Sequence, residues 1–270
     1  MKKYELTSET KVINGLELHR IKALESFGSV GKGDLGGWIE SEINLSQRGD
    51  AWVCRHAIVY DNARIYDNAI VSGNAVVRGN AVVRRNAKVG GNAVVSGNAM
   101  ISGNAIVSGN AVVCGNAVVR KNAKVGGNAV VSENATVSGT VVVSENATVC
   151  ENATVRGNAT VDGNARISGN AWVYDNAKVG GNAEVSGNAV VGESADYIVF
   201  KNWWSSCRYF TWTRSNNKWK VGCFYGSGEE LIAKAYKDSE KSGREYERVV
   251  RYVESILKEE NNGNRNKRED

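Results

Sequence analysis

The chain has 270 residues, 42% of them hydrophobic, with 30 glycines, no proline and a formal net charge of +5. That length supports a sizeable core in one or two domains, and no run approaches the ~18 apolar residues of a membrane-spanning helix. Five cysteines without a C-x-x-C pair point to reduced thiols, and so mild a charge can select a partner only through its placement.

Residues 1–48 read as a β cap. The opening "MKKYELTSETK" is polar and lacks the apolar core of a secretory leader, so a cytoplasmic protein is expected. In "KVINGLELHRI", Asn14-Gly15 between apolar runs is a strong short-range hairpin signal. The glycine-rich "GKGDLGGWIESEINLSQ" then leads into the next segment and is expected to cover its first turn.

Residues 49–192 divide without insertion into 24 hexads, from "GDAWVC" to "GNAVVG". The third residue is alanine throughout, Val141 excepted, and the fifth is valine or isoleucine. Positions three and five share a parity, so on an extended strand they face the same side. Gly-Asn at positions one and two suits a corner, and a period of six does not supply the 3.6 of a helix. One hexad cannot bury its inner face, so successive hexads must wind round a shared core. Typified by "VSGNAV" at 71–76, the pattern resembles the hexapeptide-repeat family of left-handed parallel β-helices. The resemblance implies an all-β solenoid over 49–195, three hexads to a coil and about eight coils. At ~4.8 Å per strand the rod would be roughly 38 Å long.

Residues eighteen apart then stack on one face. One outward column reads Ile58, Val76, Val94, Val112, Val130, then Thr148, Arg166 and Glu184. Its five aliphatic residues express either plain strand preference or a self-association face, and the resemblance implies a homo-oligomer, most often a trimer. A second column reads Tyr66, Arg84, Ser102, Arg120, Ser138, Arg156, Tyr174. Arginine on every second coil gives "VVRRNAKVGGNAVVS" at 82–96 and "VVRKNAKVGGNAVVS" at 118–132 a spatial meaning: cations about 9.6 Å apart along one edge. They serve either as a solubilising surface or as a site for phosphate or carboxylate.

Residues 196–259 form a different module, predicted as three strands and two helices, with capping boxes at Ser227/Glu230 and Ser242/Glu245. On the second helix Tyr246, Val249, Val250, Val253, Ile256 and Leu257 share a face. Residues 260–270 read as a disordered tail. Between Tyr197 and Ser227 lie Lys201, Arg208, Arg214, Lys218 and Lys220 without an acid. Trp203, Trp204, Tyr209, Trp212 and Trp219 interleave with them, as in a surface that stacks on bases and contacts phosphates. A small domain filling its core with large rings would read the same way.

"GDLGGWIE" ahead of the hexads, with a tryptophan-rich ending, also resembles hexapeptide-repeat proteins of bacteriophages, implying a bacterial host cell. Many family members are acyltransferases with a histidine base beside an inserted loop. Here His19 and His56 are the only histidines and no loop interrupts the hexads. The expectation is therefore a non-enzymatic binding protein, presenting its C-terminal module to a host protein or an anionic, nucleotide-like ligand. Acyl transfer stands as the alternative. No cofactor is expected, and two histidines cannot make a three-histidine metal centre.

Overall fold

The computed structural model describes residues 2–266. It contains two compact units, one ending at Ser194 and the other starting at Ala195.

The first unit opens with β1 (Tyr4–Ile13) and β2 (Leu16–Ala23), paired antiparallel across Asn14-Gly15. Both turn residues have positive φ, 51° and 81°, as the sequence predicts for this hairpin. Strand β3 (Leu35–Ile39) pairs antiparallel with β2 and parallel with Ile58–Val59. It sets Trp38 on Ile58, and Leu45 bridges Ile65. The lead-in thus supplies part of a further turn, added to the eight coils of the hexads.

Those hexads build three parallel sheets. Each coil strand pairs with the strand eighteen residues away, as Val94 does with Val76 and Val112. Every third-position alanine, and Val141 in its place, is fully buried, and every fifth-position valine or isoleucine is at most 1% exposed. A buried valine contributes about 1.5–3 kcal/mol, so each coil's three branched side chains stabilise it by several kcal/mol before chain entropy is counted. The corner asparagines bond one another coil to coil: Asn62 donates to Asn80 at 3.2 Å, Asn80 to Asn98 and Asn98 to Asn116, both at 2.9 Å. A side-chain amide suits this ladder because it both donates and accepts along one line.

The second unit is a four-stranded antiparallel sheet, one strand more than expected: Tyr197–Lys201, Tyr209–Thr213, Lys218–Val221 and Phe224–Gly226. Helices α1 (Gly228–Asp238) and α2 (Glu240–Asn266) follow. Ser227 caps α1 through the expected box with Glu230. The second box does not start a helix. Helix α2 begins earlier, and the Ser239 hydroxyl accepts from the Ser242 N–H at 3.1 Å. Tyr246, Val250 and Val253 of α2 pack on Phe210, Trp212 and Trp219, with Val249 and Leu257 at the margin. Helix α2 also runs through residues 260–266, where a disordered tail was expected, and 267–270 lie outside the described residues. Among the described residues, no helix is long and apolar enough to cross a membrane.

Candidate functional site: a basic groove on one face of the solenoid

The third face of the solenoid carries the arginine column. Most coil strands there are two residues long, but Val118–Lys121, Thr136–Gly139 and Thr154–Gly157 each run to four. Register extends with them: Arg120 pairs with Ser138, Ser138 with Arg156, Lys121 with Gly139 and Gly139 with Gly157. Alternate residues of a strand share a side. Arg120 and Arg156 therefore stay on the outer surface beside Val118 and Thr154 and do not turn away round the corner.

Two adjoining recesses result. One, of about 240 Å³, is lined by Arg84, Arg85, Met100, Ser102, Arg120 and Lys121 among others. The next, of about 470 Å³, shares Arg120 and Lys121 and adds Ser138, Gly139, Arg156 and Trp172. Neither lining contains a carboxylate, and none of the five cations forms an ion pair among the described residues. The corner column carries an acid at each end of the groove, Asp67 one coil before Arg85 and Asp175 one coil after Gly157; Asp67 accepts from the backbone N–H of Arg85.

Each arginine is held differently. Arg84 lays an Nη against the Met100 sulfur at 3.5 Å, while its buried Nε has no partner. Arg120 Nε donates to the Ser138 hydroxyl at 3.2 Å. Arg156 lies 4.7 Å from the Trp172 ring centre and 5.5 Å from that of Tyr174. A guanidinium stacked in this way keeps its in-plane N–H groups free for an anion. Trp172, 42% exposed, is the residue sequence reasoning missed. Its signal was the eighteen-residue step from Thr154, which sets it directly above that strand.

The C-terminal residues behave otherwise. Trp204, Trp212 and Trp219 are buried at 8%, 1% and 1% exposure, in the core with Phe210. They offer no open face, which corrects the stacking expectation for these three rings. Trp203 and Tyr209 are exposed. The acid-free stretch is answered in space: Arg214 pairs with Glu260, and Lys218 approaches Glu230 at 4.0 Å. Lys220 donates to the Gly222 carbonyl, and Arg208 is exposed. The module's positive potential is therefore weaker than the linear count implies.

On the first face, Ile58, Val76, Val94, Val112 and Val130 stack in register, all half-buried. His56 is an exposed corner residue, His19 lies on β2, and neither lines the groove. Among the described residues no cluster could hold a metal ion.

The family model of the YdcK β-solenoid repeat matches residues 57–73, 63–79, 99–115 and 165–181. No curated protein matches the chain. Among solved structures, it resembles the UDP-N-acetylglucosamine acyltransferases of Francisella novicida and Campylobacter jejuni, at 18% and 17% identity and a TM-score of 0.36 for both. Those matches cover 52% and 51% of this chain, which spans 62% and 66% of the enzymes' length. A Bacillus cereus protein described as an acetyltransferase matches at 13% identity and TM-score 0.36, over 70% of this chain and 98% of its own. The expectation of a non-enzymatic binding protein is corrected to this extent: these three neighbours are described as acyltransferases or an acetyltransferase, the alternative reading of the sequence. With 24 unbroken hexads, and with four stretches of them matched by the YdcK β-solenoid repeat model, the chain is a parallel β-solenoid built from hexapeptide repeats.

Proposed function

We propose that the chain takes part in acyl transfer and that the arginine groove holds the phosphate-bearing carrier of the acyl group. One observation carries this reading: five cations line adjoining recesses with no carboxylate among the lining residues. Like charges brought together cost free energy unless an anion joins them, and a buried Nε without a partner adds to that cost. Arginine's planar fork matches phosphate oxygens in pairs. Group carriers such as coenzyme A present phosphates some distance from the thioester they carry. Held by those phosphates along the rod, the thioester is oriented for an acceptor amine or hydroxyl. The acceptor oxygen or nitrogen bonds to the acyl carbon, the carbon–sulfur bond breaks, and the thiol leaves with the acceptor's proton.

The same reading has the chain self-associate through the Ile58–Val130 column, as a trimer. A row of aliphatic side chains on an outer face is stabilised by a second copy of the chain.

Calorimetric titration with coenzyme A tests the groove. Wild-type protein should bind, more weakly as salt rises because exposed charges are screened over about 8–10 Å. Arg120→Ala and Arg156→Ala should each weaken binding about tenfold or more, as loss of a charge-assisted pair of hydrogen bonds does. Thiol release from acetyl-coenzyme A with amine and sugar acceptors then tests transfer. If millimolar coenzyme A gives no heat and no thiol appears with any acceptor, the reading is wrong.

A further inference from the structure

In one hexad, at 139–144, both the corner asparagine and the inward alanine are replaced, and its first residue, Gly139, lines the groove. It reads "GTVVVS", so Thr140 stands where an asparagine is the rule, and Val141 holds the position that is otherwise always alanine. Neither change helps the solenoid. The ladder on that corner runs from Asn104 to Asn122 at 3.0 Å and resumes from Asn158 to Asn176 at 3.2 Å, with Thr140 in the gap. Val141 is fully buried, so an isopropyl group occupies a site shaped for a methyl. Gly139 has φ of 120°, whereas Lys121 and Gly157, on the adjoining coils of the same corner, have 64° and 75°. The strand pairing that usually stops at the corner continues through Gly139 and its two neighbours.

We infer that Thr140 and Val141 are positioning residues for the groove. Together they open one corner so that Arg120, Lys121 and Arg156 present their charges to a single anionic group, the carrier phosphate. The physical link is strand parity. While the corner remains extended, position six faces outward with position four. The corners after Arg120 and Arg156 carry the usual Asn122-Ala123 and Asn158-Ala159, so the effect passes through the strand between them: a tight corner at Gly139 would draw Ser138, which pairs with both arginines and accepts from Arg120 Nε, away from the floor. Places where a chain departs from its own local rule without a structural gain are where function is expected. The inference rests on the proposed groove and adds that the break in the repeat, more than the arginine count, sets its shape.

The test restores the consensus. Thr140→Asn combined with Val141→Ala completes the ladder and the alanine stack, so this variant should fold with Tm equal to or above that of the wild type. Its affinity for coenzyme A, measured by calorimetry, should fall at least tenfold, while Thr140→Ser, which keeps the gap, should bind like the wild type. Asn146→Thr combined with Ala147→Val puts the same break in a corner away from the groove. That variant should lower Tm and leave affinity unchanged, separating a structural effect from a positioning one. If wild-type protein binds coenzyme A and the consensus variant binds equally well, the positioning role is overturned and the groove reading stands. If wild-type protein binds neither coenzyme A nor pyrophosphate, both fall together.

Discussion

Lys3 shows how one residue can carry a pH dependence. It is 2% exposed; its ammonium donates to the carbonyls of Gly49 and Ala51 at 3.0 and 2.8 Å and lies 4.6 Å from the Phe27 ring centre. Burial lowers its pKa to about 8, against the opposing pull of Asp50 and Glu25. Between about pH 8 and 10.5 the unfolded chain therefore binds the proton more tightly, so stability rises with pH across that window. Thermal melts should show the wild type gaining on Lys3→Met from pH 8 to 10, and a constant difference would argue against the shift. At the corners, Gly91 has φ of 65°, and a Cβ there would sit 2.7 Å from the Gly109 carbonyl oxygen. Gly91→Ala should cost about 1–2 kcal/mol by denaturant titration, the ordinary penalty for a left-handed alanine. Glu133 shows that a side chain can be accommodated at such a corner, with φ of 58°.

At the level of single elements, the two units respond differently to damage. Helix α1 depends on its first turn: the Ser227 hydroxyl accepts from the Glu230 N–H, and the Ser227 N–H donates to the Glu230 carboxylate at 2.7 Å. That backbone bond, with the Ser227 hydroxyl and the charge of Lys218, holds the Glu230 carboxyl below the usual range. Ser227→Ala should cost about 1 kcal/mol in the melt of the C-terminal unit. Trp219, flanked by Phe200 and Phe210 at ring-centre distances of 5.8 and 6.0 Å, matters more. Trp219→Ala should cost about 3–5 kcal/mol. Because the solenoid has its own core, its cooperative melt should survive that change, and circular dichroism would detect the separate transitions.

For the molecule as a whole, the proposed self-association turns on the aliphatic face. Replacing Val94 and Val112 with lysine places charges in the middle of the column, and light scattering should show the variant dissociated where the wild type associates. A wild type that is monomeric at micromolar concentration would remove the basis for the trimer. By itself the sequence determined the solenoid and its inner residues, because a six-residue period repeated 24 times puts positions three and five on one side of each strand, while the count of three hexads to a coil came from the family resemblance and the lead-in adds part of a further turn. It also placed Arg84, Arg120 and Arg156 in one column, since stacking eighteen residues apart is fixed by the coil. Tertiary structure decided the rest. Whether Trp212 and Trp219 stack on ligands or fill a core depends on which sheet face the helices cover, and strand alternation is the same in both cases. Whether Lys218 and Arg214 stand free depends on Glu230 and Glu260, distant in sequence and close only once the helices pack. The groove itself depends on a corner opened at Gly139, where the sequence shows an exception to the repeat and only the extended pairing shows what the exception does.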